Sequence, residues 1–311
     1  MTRLPPVPRR SPSTDRAVRS AGDGRVRILT DADTAALVAL ADRDPVANVY
    51  AHTVLEGGRL AGPRGSAAGT LFLGVDDPAA PGALRSAAWI GSTVVPLAGH
   101  DDDAPALGAA VAALRRRFAS VYGPAGTVLA VGAALRDEGQ RPRSVRAEQP
   151  LLVAGAGSGV PAPTPGVVPA RPELLHRVVP ASAAMFEEEL GFSPFLAGAA
   201  QYRDRVRGLI EAGRVFVDPG SDPDDPTAQP LAFKADIGLL SRRCAQIQGV
   251  WVNPARRGRG EAAPAMAAVV ELARRRAPIV SLYVNGYNTP ALRTYERVGF
   301  ERVGTFATVL F

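Results

Sequence analysis

The chain has one cysteine, Cys244, three histidines and, apart from Lys234, no lysine. A single cysteine excludes an internal disulfide framework and fits a reducing, cytoplasmic compartment. His52, His100 and His176 stand far apart without metal-ligand spacing, so the sequence offers no metal site. There is no long hydrophobic run: each apolar stretch is broken by Arg, Pro or Gly within about ten residues, too short for a membrane span. The first residues carry Arg and Pro without an apolar core, which does not read as a secretory leader.

The near-absence of lysine makes the net charge of +6 almost wholly an arginine charge. Residues 1–24 hold five Arg and two Asp, or +3, which leaves +3 for the rest of the chain. That is no concentrated basic footprint, so neither a nucleic acid nor a membrane is expected as partner. What is abundant is apolar: 46% of 311 residues, enough to fill two cores.

Residues 1–24, rich in Pro, Arg and Ser, predict a disordered tail. A first domain is expected over 25–153: a strand at 25–29, a helix capped by Asp31 or Asp33, strands at 70–75, 87–90, 93–97 and 127–131, a helix at 104–119 and a closing strand at 149–153. The Gly/Pro/Ala-rich segment 154–166 predicts a linker. A second domain, 167–311, restarts with a strand and two helices, 172–190 and 202–212. Strands 215–218, 231–237 and 245–252 follow, with Pro223, Asp224, Asp225 and Pro226 in a hairpin-like connection. Helix 260–277, strand 279–284, helix 290–298 and a last strand complete it. The fold class is α/β with a mixed sheet, and the shared order of elements suggests a duplicated fold.

The most informative segment is Val250-Trp251-Val252-Asn253-Pro254-Ala255-Arg256-Arg257-Gly258-Arg259-Gly260-Glu261-Ala262. A strand ends at a proline, a basic Gly-rich turn follows, and a helix begins. Amides in such a turn and at a helix N-terminus point outward and can cradle a pyrophosphate. Gly258, Gly260 and Ala262 allow close approach to the backbone, and Arg256, Arg257 and Arg259 add charge. The second segment, Asn288 to Phe300, reads as a complete short helix: Thr289 as N-cap, Pro290 in the first turn, Tyr295 on the buried face and Gly299 at the C-terminal cap.

Both segments resemble motifs of the GNAT acyltransferase superfamily. Arg257, Gly260 and Ala262 match its acetyl-CoA loop, Arg-x-x-Gly-x-Gly/Ala. Asn288 to Phe300 fill Asn-x-x-Ala-x-x-x-Tyr-x-x-x-Gly-Phe. The resemblance to two-domain members, with one degenerate half, extends over nearly the whole chain.

It implies acetyl-CoA or another short acyl-CoA as co-substrate, without a metal, and direct attack by an amine in a ternary complex. Val250 and Val252 would lie on the strand that partners the pantetheine. Arg257, Gly258, Arg259, Gly260, Glu261 and Ala262 would hold the pyrophosphate, and Asn288 would contact CoA. Tyr295 would be the general acid toward the departing thiolate. Glu261, where the family often has an apolar residue or lysine, is a departure. Cys244 is expected to be a small buried hydrophobe.

An ammonium acceptor must lose a proton, and Glu188, within Glu187–Glu189, and Asp236 are the base candidates, with a solvated helix face as the alternative for the glutamates. The acceptor would be a small-molecule amine or a protein N-terminus or lysine, and the protein a monomer or homodimer. The alternative functions are a non-catalytic CoA-binding regulatory module and an aminoacyl transferase on the same tandem fold.

In the first half the phosphate-loop position holds Gly99-His100-Asp101-Asp102-Asp103. Three aspartates cap a helix but repel a pyrophosphate. That half is therefore expected to bind no CoA, and instead to shape the acceptor cleft or support the second domain. Only twelve residues follow Gly299, one strand where the family has two, so the first domain is expected to complete the sheet.

Overall fold

The computed structural model describes residues 12–63, 69–97, 99–155, 161–220 and 231–311. Pro223, Asp224, Asp225 and Pro226 lie outside the described residues, as do residues 1–11 of the expected tail and 156–160 of the expected linker. The chain forms two compact units, one of residues 1–151, 283–287 and 302–311, the other of 152–282 and 288–301.

The first unit opens with helix α1 (Pro12–Ala21) and strand β1 (Val26–Ile28). Helices α2 (Thr34–Asp42) and α3 (Val49–Glu56) follow, then strands β2 (Leu71–Asp76), β3 (Leu84–Ile90) and β4 (Thr93–Pro96). Helix α4 (Ala104–Ala113), strand β5 (Ser120–Pro124), helix α5 (Ala125–Asp137) and strand β6 (Ser144–Ala154) continue it. The second unit repeats that order: β7 (Val168–Pro169), α6 (Leu175–Leu190), α7 (Ala199–Glu211), β8 (Val215–Asp218), β9 (Phe233–Leu240), β10 (Cys244–Val252), α8 (Ala262–Arg274), β11 (Ile279–Tyr283) and α9 (Thr289–Arg297). The last strand is β12 (Phe300–Leu310).

Each repeat runs β-α-α-β-β-β-α-β-α. In each, the five strands lie in chain order, β1-β2-β3-β4-β5 and β7-β8-β9-β10-β11. Neighbours pair antiparallel except the fourth and fifth strands, β4 with β5 and β10 with β11, which are parallel and joined across a helix. The duplication suggested by element order is thus repeated in pairing. Most of β12 belongs to the first unit, where Phe306–Leu310 pair antiparallel with Ser120–Pro124 of β5. Residues 283–287 join that unit too, through Val284 N–H to Pro150 O and Gly286 N–H to Glu148 O.

Three expectations are corrected. Residues 12–21 form a helix rather than a disordered tail, because the one apolar side chain with core reach, Val18, is fully buried against the first core. Residues 127–131 belong to α5, not to a strand. Their β-branched run suggests a strand, but Val128, Val131 and Leu135 recur at helical spacing and are all buried, and that face decides. The helix expected at 104–119 stops at Ala113, since Arg115 takes a left-handed φ of 50° and Ser120 already starts β5.

The first unit's core packs Ile28, Leu73, Ile90, Leu107, Val121, Val131 and Val309. The second unit's packs Leu174, Val178, Val206, Ile210, Val217, Leu231 and Trp251. In α8, Ala263, Ala265, Ala267, Ala268 and Ala273 are buried, so small side chains let that helix lie close on the sheet.

Candidate functional site

All the candidate catalytic and CoA-binding residues lie in the second unit. Along its β10 edge, pairing with β11 covers only Cys244–Gln246 against Ile279–Ser281, although β10 runs on to Val252. Val250 and Val252 therefore stand on an edge that lacks a β11 partner, where Val252 O is taken instead by Arg257 Nε. Toward the other neighbour, β9, the register slips between Gln248 and Trp251, and Gly249 takes φ 59°. This is a β-bulge, which needs glycine for its left-handed residue.

Beyond β10, Asn253 caps a short 3-10 turn over Pro254–Arg256 by accepting from Ala255 N–H at 3.0 Å. Gly258 and Gly260 then take φ 77° and 78°, and a Cβ built on either meets open space. Among the described residues no acceptor takes the N–H of Gly258, Arg259 or Gly260. A turn whose amides face outward beside the N-terminus of α8 is a concave anion receptor. Ala262 is the first residue of α8, and its side chain is a single methyl group.

The loop's charges are partly engaged. Arg256 Nε donates to Glu261 Oε2 at 2.7 Å, so the carboxylate that departs from the motif is turned onto an arginine, which holds it below its usual range. Arg257 donates from Nη2 to both oxygens of Glu188, at 2.9 and 2.8 Å, and from Nε to Val252 O at 3.0 Å. Glu188 Oε1 also accepts from Trp251 Nε1 at 3.3 Å. Glu188 thus joins the end of α6 to the phosphate loop. Arg259 is exposed.

Asn288, not Thr289, is the N-cap of α9: its Oδ1 accepts from Ala291 N–H at 3.2 Å. Its amide nitrogen remains available to a ligand. Tyr295 is buried on α9, with its ring 5.7 Å from that of Phe300. Burial, helped by the nearby charge of Glu189, pushes its hydroxyl well above the ordinary tyrosine range. A phenol held protonated can donate to a thiolate.

Asp236, the second base candidate, is buried on β9 and hydrogen-bonded to Lys234. Lys234, Gly249 and Trp251 were not singled out in the sequence. The available signal was a pair of opposite charges at i and i+2 within Phe233-Lys234-Ala235-Asp236-Ile237, which places both on one face of a strand. Cys244 is fully buried, with its sulfur 3.2 Å from Ser281 Oγ.

In the first unit the equivalent position is closed. Asp103, 1% exposed, accepts from Arg25 Nη1 at 3.2 Å, Arg85 Nε at 3.1 Å and Ser86 Oγ at 2.7 Å. His100 N–H donates to Ser86 Oγ, and a Cβ on Gly99 would fall 2.6 Å from that oxygen. Among the described residues no group of three or more His, Cys, Asp or Glu could hold a metal ion, and no helix is long and apolar enough to cross a membrane.

Residues 193–300 match the Acetyltransferase (GNAT) family, and residues 72–178 match a domain of unknown function, DUF4081. An acetyltransferase of Agrobacterium fabrum is 38% identical over 69 residues, which is 22% of this chain and 50% of that protein. The chain thus matches about half the length of that curated relative. A GCN5-related N-acetyltransferase from Sphaerobacter thermophilus superposes with a TM-score of 0.52 at 16% identity, covering 91% of this chain and 94% of that one. An acetyltransferase of the GNAT family from Colwellia psychrerythraea does so with a TM-score of 0.51 at 11% identity, over 92% and 99%. At these identities the likeness is one of fold.

Proposed function

We propose that the protein moves an acetyl or other short acyl group from acyl-CoA to an amine, a reading supported by the match of residues 193–300 to the Acetyltransferase (GNAT) family. The observation that carries this reading is the open loop Gly258–Ala262, with outward amides and two left-handed glycines, next to the unpaired edge of β10. An acyl-CoA fits that arrangement: the pyrophosphate on the loop and α8 N-terminus, the pantetheine along Val250–Val252, and Arg257, Arg259 and Asn288 at its flanks. The amine attacks the thioester carbon, a C–N bond forms, the C–S bond breaks, and the sulfur takes the electron pair. Tyr295 supplies a proton to that sulfur, and its buried hydroxyl keeps the proton at neutral pH until then. The acceptor is a small-molecule amine or a protein amine. In this reading the protein acts in the cytoplasm.

Titration calorimetry with acetyl-CoA, followed by thiol release over a panel of amines, tests the proposal. We expect Tyr295→Phe to keep acetyl-CoA affinity and to lose about 100-fold in turnover. Binding without turnover on any amine would instead make the protein a CoA-binding regulatory module, and unchanged turnover in Tyr295→Phe would remove it as the acid.

A further inference from the structure

Lys234 is the one lysine of the chain and is 1% exposed. A buried ammonium persists only where it is paired, since desolvating an isolated charge is strongly unfavourable. Lys234 Nζ donates to Asp236 Oδ2 at 2.5 Å and to Gly249 O at 3.3 Å. That carbonyl belongs to the β10 bulge. A Cβ on Gly249 would lie 2.7 Å from Asp236 Oδ2, 3.1 Å from Lys234 Nζ and 3.4 Å from Met185 Cε. The ion pair therefore fills the volume that a side chain at 249 would need and ties β9 to the bulge.

The second oxygen is what the pairing leaves over. Asp236 is 9% exposed, and its Oδ1 is buried without a hydrogen-bond partner. Buried carboxylate oxygens are normally satisfied, so an orphaned one needs a reason. The groups that face it are Lys234 on β9, the guanidinium of Arg205 on α7, and Tyr202 on α7, whose phenol also feels Glu187 of α6.

We infer that Lys234 and Asp236 form the proton-accepting subsite for a primary alkylamine: Asp236 Oδ1 takes the ammonium proton, and Lys234 holds the carboxylate in place against the bulge. The inference rests on the acyl-transfer reading. An alkylammonium has a pKa of about 10 and no lone pair to attack with until it is deprotonated. Transfer of one ammonium proton to Asp236 leaves a neutral amine. After attack and expulsion of the sulfur, the amide nitrogen still carries one proton in excess, which restores the Tyr295 hydroxyl. The proton on Asp236 is the one released to solvent. Asp236 is the proton acceptor, Lys234 a positioning residue.

Two nucleophiles separate this from a merely structural pair. At neutral pH n-butylamine is an ammonium ion, whereas methoxyamine, being weakly basic, is already a free base. With acetyl-CoA as donor, Asp236→Asn is expected to lose about 100-fold with n-butylamine and only a few-fold with methoxyamine. Equal losses on both would overturn the inference. In Lys234→Met the acid limb of the kcat/KM profile should move to higher pH, because burial raises the Asp236 carboxyl and Lys234 opposes that rise. An unmoved limb would count against Lys234 as the positioning group.

The single lysine gives an arm independent of turnover. Protein labelled with 15N-lysine carries one side-chain ammonium signal, followed here with and without CoA. Its shift on adding n-butylamine, abolished in Asp236→Asn, is expected, and absence of any shift in either state overturns the subsite. Loss of CoA binding in calorimetry would overturn the acyl-transfer reading instead, leaving the lysine signal to report on the subsite alone.

Discussion

Each unit sends its fourth strand into a short turn and then a helix, β4 to α4 in the first and β10 to α8 in the second, and the two treat the positive end of that helix in opposite ways. In the first unit a buried carboxylate stands at that end, held by side chains and capping no backbone amide. Asp103 is buried at the start of α4, and Arg25, Arg85 and Ser86 converge on its carboxylate. In the second unit the end is open: Gly258 and Gly260 turn their amides outward, Glu261 is held by Arg256, and Glu188 is held by Arg257 and Trp251. A helix N-terminus attracts an anion in either case. One repeat keeps its own anion beside that end, and the other leaves the turn amides of Gly258–Gly260 without an acceptor among the described residues.

The largest way to break this contrast is to invert the open loop. Arg257→Glu places a carboxylate where a pyrophosphate oxygen is expected and sets it against Glu188, the present partner of Arg257. A charge-assisted hydrogen bond contributes about 1.5–3 kcal/mol, so CoA affinity should fall roughly 10- to 100-fold. Calorimetry reads this directly, and unaltered affinity would remove Arg257 from the site.

The converse change belongs to the first unit. Asp103→Asn removes the internal anion and leaves Arg85 Nε, Ser86 Oγ and Arg25 Nη1 facing a neutral amide. We expect about 2 kcal/mol less stability in thermal or denaturant unfolding, with CoA affinity unchanged. Undiminished stability would mean that the three donors find solvent at no cost, and a changed CoA affinity would mean that the two loops are not independent.

How far this contrast was legible depends on the range of the interactions involved. The basic turn and the α9 helix were readable because turn chemistry and capping act over three or four residues. Asn288 against Thr289 as the cap was a slip of one position within a helix correctly placed. The acidic loop was expected to cap a helix, but no aspartate side chain caps α4; Asp103 instead takes Arg25 and Arg85, 78 and 18 residues away, which no local pattern shows. Residues 127–131 misled because β-branched side chains favour strands locally, while the burial of Val128, Val131 and Leu135 is a tertiary effect. The Lys234–Asp236–Gly249 arrangement needed the register of two strands; Gly249 within its strand is a local sign of the bulge, but not of what lies across from it.

The smallest expected effect concerns Glu188, whose partner Arg257 lies 69 residues away. The pair is about half exposed on both sides, 46% and 45%, so solvent screens it. Exposed pairs contribute about 0.2–1 kcal/mol, which bounds the competition Glu188 offers a pyrophosphate for the same guanidinium. Glu188→Gln should therefore tighten CoA binding by no more than about 5-fold, and the gain should fade at high salt. Calorimetry at low and high ionic strength measures both. Weaker binding in this variant would reverse the role of the carboxylate: Glu188, fixed by Trp251 Nε1, would then be aiming Arg257 at the phosphate rather than withholding it.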